Sequence, residues 1–187
     1  MNVRLFIAIE TTGQTQKNVK MLQDKLKKSD ADVTWVAPEN LHITLKFIGY
    51  IDEEKTGSIV TIIKESVTHI KPFNLSYVGT GTLPTEKDPR VIFVHAEENG
   101  NILSTIHERL DNQFMALGVE HETRKFKAHL TIGRIKTRRN VKKLIEGIHS
   151  YNEFNFGTEL ITQVVLMKSD LFGNGPVYTK LHGIDLL

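Results

Sequence analysis

From Val3 to Ile9 almost every position is apolar, with too little alternation for a half-exposed strand, so the run predicts a strand buried on both faces. The pattern then changes to a helical period. Val19, Leu22 and Leu26 mark one helix face. Ile59, Ile62, Ile63, Ser66, Val67 and Ile70 mark a second, stronger one. A third helix is predicted from about Asn101 to Leu117 through Leu103, Ile106, Leu110, Phe114 and Leu117. A weaker fourth follows Asn140 with Val141, Leu144, Ile145 and Ile148. Strands are predicted at 3–10, 32–36, 42–50, 73–80, 91–97, 126–136, 160–168 and 176–186, all rich in Val, Ile, Phe and Thr. Gly79-Thr80-Gly81-Thr82-Leu83-Pro84 and Gly173-Asn174-Gly175-Pro176 are read as turn-rich punctuation.

Strands and helices recur in both halves without a long linker, which predicts an α+β protein of two similar lobes. Several strand pairs have connections too short for a helical crossover, so the sheets are expected to be antiparallel. With 187 residues, 40% hydrophobic and 25% charged, the chain has an ordinary globular balance. No apolar run approaches the length of a membrane span or of a secretory signal, so a cytoplasmic protein with no membrane partner is expected. The absence of cysteine removes disulfides, thiolate metal sites and cysteine nucleophiles together.

The net charge of +2 is unevenly spread. Nine of the 24 Lys and Arg lie between Arg124 and Lys143, where there is no acidic residue. Such a field favours a polyanion, although a basic run taken alone is more often a solvated surface.

Two tetrapeptides carry the chemistry: His42-Ile43-Thr44-Leu45 and His129-Leu130-Thr131-Ile132, 87 residues apart. Side chains alternate along a strand, so in each copy His and Thr share one face while the apolar residues enter the core. By shuffled composition the duplication has roughly one chance in a hundred, so it is not dismissed as a motif false positive. Cleaving a phosphodiester needs a base for the nucleophile and an acid for the leaving oxygen, on opposite sides of phosphorus. Two imidazoles titrating near neutrality supply both. Thr44 and Thr131 offer hydroxyls to phosphate oxygens, and Arg134 a permanent positive charge. Strict alternation turns Arg134 away from His129. Only a bulge at Gly133, or the end of the strand there, would bring it round.

Competing readings are weaker. A catalytic zinc site wants a third protein ligand, and no His-Glu-x-x-His spacing is present. Gly79-Thr80-Gly81 lacks the third glycine and the Lys-Ser/Thr of nucleotide loops. His69, His95, His107, His121, His149 and His182 lack a partner pattern and are read as structural or solvent-facing. Trp35 is a candidate for stacking a base at the mouth of the cleft, and Phe47 is read as a packing residue.

The paired His-x-Thr-x motifs resemble the 2H phosphoesterase superfamily, and the flanking residues resemble its RNA 2′,3′-cyclic phosphodiesterase (2′-5′ RNA ligase-like) branch. The likeness also runs through Arg4-Leu5-Phe6-Ile7-Ala8-Ile9, Trp35 to Leu41, Lys46-Phe47-Ile48-Gly49, Pro89-Arg90-Val91-Ile92, Phe126 to Arg134, and Gly175-Pro176-Val177-Tyr178. Tyr50, where an acidic residue often follows the glycine, and Asp170 depart from it. The resemblance implies one bilobal domain over residues 1–187, with pseudo-two-fold symmetry and a central cleft. It implies hydrolysis of RNA 2′,3′-cyclic phosphate ends to 2′-phosphates without metal or cofactor, with His42 as proton donor and His129 as acceptor. The expected partner is RNA with such ends, tRNA fragments being one source, bound by a monomer. Three alternatives stay open: reversible 2′-5′ joining of RNA ends, hydrolysis of another nucleotide cyclic phosphate, and an RNA-phosphate-binding module without turnover.

Overall fold

The computed structural model describes residues 1–173 and 175–187. Its strands are β1 (Asn2–Glu10), β2 (Val33–Trp35), β3 (His42–Asp52), β4 (Phe73–Pro84), β5 (Pro89–Glu97), β6 (His129–Ile135), β7 (Asn155–Ile161), β8 (Gln163–Phe172) and β9 (Gly175–Asp185). The helices are α1 (Gly13–Leu26), α2 (Thr56–Ser66), α3 (Ile102–Phe114) and α4 (Val141–His149). The strands form two sheets, in the orders β3-β1-β8-β9 and β2-β6-β5-β4-β7, and every pairing is antiparallel. The expected α+β architecture of two similar lobes is what forms.

Each helix buries the face that its apolar spacing marks out. In α1 this is Val19, Leu22 and Leu26; in α3 it is Leu103, Ile106, Leu110 and Phe114. The helices cover the inner faces of the sheets, α1 and α4 behind the second sheet and α2 and α3 behind the first, around a continuous apolar core. β1 is buried on both faces, as its uninterrupted run predicts. Leu5, Ile7 and Ile9 enter this core, whereas Phe6 and Ala8 join Val165 and Met167 in a smaller cluster on the opposite side of the sheet.

Three sequence readings need correction. The predicted strand 160–168 is two strands: β7 pairs with β4 in one sheet and β8 with β1 in the other, with Thr162 alone between them. The Gly79–Pro84 segment is not a turn but the second half of β4. Its Gly81 lies opposite Phe93, and a Cβ there would come within 2.7 Å of that ring, so glycine serves close aromatic packing. Residues 126–128 precede β6 rather than belonging to it; Phe126 is drawn instead into a stack on His107, with centroids 4.4 Å apart. The other turn-rich segment spans the end of β8 and the start of β9, and its Asn174 lies outside the described residues.

Candidate active site

The motif strands β3 and β6 belong to different sheets yet approach one another across a cleft of about 220 Å³. The cleft is lined by His42 and Thr44 from β3 and by His129, Thr131 and Arg134 from β6. All five site residues named from the sequence therefore meet.

Arg134 arrives through a bulge. Thr131 pairs with Phe93 and Gly133 with Ile92, leaving Ile132 without a partner in β5. Ile132 and Gly133 are consequently both buried, and Arg134 returns to the face of His129 and Thr131. The first lobe has the same irregularity. Thr44 pairs with Ala8 and Lys46 with Ile7, Leu45 is skipped, and Phe47 turns outward. Phe47 is thus 51% exposed and lines the cleft, while its ring packs beside Phe6 with centroids 5.7 Å apart, as the packing reading expects.

Both bulges are built features, because a buried polar side chain satisfies the carbonyl of each skipped residue. The Gln23 amide of α1 donates to the Ile132 carbonyl at 2.9 Å, and the Val36 N–H joins it at 3.1 Å. Nδ1 of His107, on α3, bonds the Leu45 carbonyl at 2.7 Å. A buried carbonyl left unpaired would cost about 1–3 kcal/mol; His107 supplies the bond at Leu45, while Gln23 adds a second donor beside the Val36 N–H at Ile132.

Each motif histidine is tied to the backbone in the same way. Nδ1 of His42 lies 2.7 Å from the Asn40 carbonyl, and Nδ1 of His129 lies 2.7 Å from the Lys127 carbonyl. A carbonyl only accepts, so both Nδ1 atoms carry hydrogen and each Nε2 is the atom left to take up or give a proton. The His42 ring packs on Phe6 with centroids 4.9 Å apart and meets Tyr178 edge-on at 5.2 Å, whereas His129 meets Phe93 at 5.5 Å. Burial pushes the proton affinity of His42 below that of an ordinary imidazole; the Asn40 carbonyl opposes this, Arg134 reinforces it and Glu10 opposes it. Burial also pushes the Tyr178 hydroxyl up, against the pull of Arg134 and Arg4, so it stays protonated as a donor at the cleft wall. Tyr178 entered the sequence reading only as part of a family likeness; nothing local to β9 marks it. Trp35 does line the cleft, packed on Gly133, where a Cβ would stand 3.1 Å from its ring.

Beyond the cleft, the basic run is partly consumed by ion pairs: Arg138 with Asp88 at 3.0 Å and Arg139 with Asp30 at 2.9 Å. Among the described residues no three His, Cys, Asp or Glu side chains gather as a metal site. No helix among them is long and apolar enough to cross a membrane.

Two antiparallel lobes, each presenting a backbone-tethered imidazole to a shared cleft, define the architecture of a two-histidine phosphoesterase. The chain belongs to the 2′-5′ RNA ligase-like family of the 2H phosphoesterase superfamily. The family model of the AKAP7 2′5′ RNA ligase-like domain matches residues 5–186. An RNA 2′,3′-cyclic phosphodiesterase of Methanothermobacter thermautotrophicus is 36% identical over 97% of this chain and 98% of its own. Another from Methanocaldococcus jannaschii is 35% identical over 94% and 96%. Among solved structures, TT0787 of Thermus thermophilus superposes with a TM-score of 0.75 at 26% identity, covering 98% of this chain and 97% of that one. E. coli LigT complexed with 3′-AMP gives a TM-score of 0.78 over 99% and 98%, at 22% identity, and so supports the fold alone.

Proposed function

We propose that this enzyme opens 2′,3′-cyclic phosphate ends of RNA to 2′-phosphomonoesters, with His42 as proton donor, His129 as acceptor, and neither metal nor cofactor. The observation that carries this reading is the pair of free Nε2 atoms held on facing strands by identical backbone tethers. His129 takes a proton from water as its oxygen bonds to phosphorus. The bond from phosphorus to the 3′-oxygen breaks in line, and His42 delivers its proton to that oxygen. Burial disfavours charge on free His42, and a phosphate anion seated against Nε2 restores it. Arg134 supplies fixed positive charge to the phosphate, while Trp35 and Phe47 offer ring faces to the unpaired terminal base. One chain contributes both motifs, which is consistent with a monomer.

The test is to incubate metal-stripped protein with an oligonucleotide bearing a 2′,3′-cyclic phosphate end and to separate the isomeric products. Turnover in the chelator with a dominant 2′-phosphate is expected. Activity appearing only on zinc addition would replace the two-imidazole scheme by a metal mechanism, and a dominant 3′-phosphate would show that the ribose sits the other way round.

Thr44→Val and Thr131→Val are expected to be milder than loss of either histidine. A hydrogen bond to a charged group is worth roughly 1.5–3 kcal/mol, so each change should lower kcat/KM by about one to two decades. Unchanged kcat/KM in both variants would mean that the hydroxyls do not touch phosphate.

A further inference from the structure

The two motifs are so alike that neither their residues nor their tethers tell acid from base. The neighbouring strands do. In the first lobe the residue directly opposite His42 is Glu10 of β1; in the second, the residue directly opposite His129 is His95 of β5. The two positions are equivalent by register, since Ala8 faces Thr44 where Phe93 faces Thr131. Directly opposed residues of an antiparallel pair project to one face with Cβ atoms about 4.5–5.5 Å apart. A carboxylate therefore flanks one histidine and an imidazole the other. The carboxylate is held in place: Oε2 of Glu10 accepts from Lys180 Nζ at 2.8 Å, and the same ammonium donates to Gln163 Oε1 at 2.7 Å.

We propose that Glu10 is a positioning residue that biases the direction of proton flow, its carboxylate lying beside His42 where the second lobe places only His95 beside His129. It does not set the direction alone: it works with the bound phosphate anion, so that His42 enters as acid and His129 as base once substrate is seated. The inference rests on the two-histidine reading above and adds the element that breaks its symmetry.

The charged and titratable groups facing His42 are Glu10 from β1, Arg134 and His129 from β6, and Tyr178 from β9, while Lys180 of β9 acts on it through its ion pair with Glu10. Among them Glu10 is the carboxylate, and it opposes both burial and Arg134. Its side chain is 41% exposed and shares its charge with Lys180, so the influence is that of a screened pair rather than a buried one. Replacing Glu10 by Gln removes the anion from beside the imidazole and leaves the Lys180 ammonium without its ion-pair partner.

The experiment follows the ring signals of His42 and His129 by NMR titration of the full chain. A residue-resolved readout is needed because the limbs of a pH-rate profile belong to the coupled pair. Glu10→Gln should move the His42 titration to lower pH and leave that of His129 in place, lowering turnover above neutrality by about two- to fivefold, the size of a partly screened charge. Lys180→Met should move His42 in the opposite direction, which keeps the proposal exposed if the Gln variant folds poorly. His95→Glu should move His129, and not His42, to higher pH. Equal shifts of both histidines, or an unmoved His42 in Glu10→Gln and Lys180→Met alike, would overturn the proposal. That failure is separate from failure of the two-histidine reading, which would appear as near-normal turnover in His42→Ala or His129→Ala.

Discussion

His42→Ala and His129→Ala are each expected to lower kcat on cyclic-phosphate-ended RNA by about 10²–10⁴, the usual contribution of a positioned acid or base. The double variant should fall well short of the product of the two losses, because both groups serve one displacement and removing either already disables it. The fold should persist. Both rings are half-buried at the cleft rather than in the main core, and each gives up one hydrogen bond to a backbone carbonyl. Single-turnover rates with the three variants, alongside their melting temperatures, check this. Near-normal kcat in either single variant would remove that histidine from the chemistry.

The chemistry was legible because it depends on a local pattern used twice. His and Thr two positions apart share a strand face wherever a strand forms, so the motif needed no knowledge of sheet order. The helix faces were legible for a similar reason: an apolar stripe such as Val19, Leu22 and Leu26 must be buried against something. Arg134 and Phe47 show where local pattern stops. Both face the cleft because a bulge lies between them and their histidine, and a bulge depends on the partner strand and on who satisfies the released carbonyl. Gln23 and His107 do so from helices 109 and 62 positions away, a coupling that no periodicity carries. The division of 160–168 into β7 and β8 was hidden differently. The chain moves from one sheet to the other at Thr162, and such a switch needs none of the Gly, Pro or Asn that mark a hairpin. In β4 Gly81, one of the glycines that resembled a turn, makes room for Phe93, which in turn supports the His129 ring, and Gly79 makes room for the Asn152 carbonyl.

Asp111→Ala is expected to destabilise the protein more than any cleft substitution. The bulge position after Leu45 is Lys46, where the second lobe has Gly133, and the ammonium of Lys46 is carried into the interior. Lys46 is 5% exposed and Asp111 3%. The two form an ion pair, and Lys46 Nζ also donates to the Glu120 carbonyl at 2.8 Å. Asp111 further accepts from the Glu122 N–H at 3.1 Å and contacts His121 Nδ1 at 2.6 Å. Removing one partner of a buried pair strands the other charge and costs about 3–5 kcal/mol. At roughly 2–4 °C per kcal/mol for a chain of this length, the melting temperature should drop by on the order of 10 °C. Burial pushes the Asp111 carboxyl up, but Lys46, the Glu122 N–H and His121 outweigh it and hold it below the usual carboxylate range. A folded value below the unfolded one means that the stabilisation is complete above the unfolded carboxylate value of about 3.9 and is lost as pH falls through the folded value. Asp111→Ala should therefore lose stability at neutral pH and show a shallower acid decline than the parent. Lys46→Met combined with Asp111→Leu should recover much of the loss, since no charge is left buried. The same pair anchors residues 120–122 of the segment leading to Lys127, whose carbonyl holds His129, so Asp111→Ala should also lower turnover with both histidines intact. Thermal denaturation of the three proteins between neutral and acid pH decides the matter. A melting temperature within about 2 °C of the parent at neutral pH would show that the pair is dispensable and that the segment before His129 is held by other contacts.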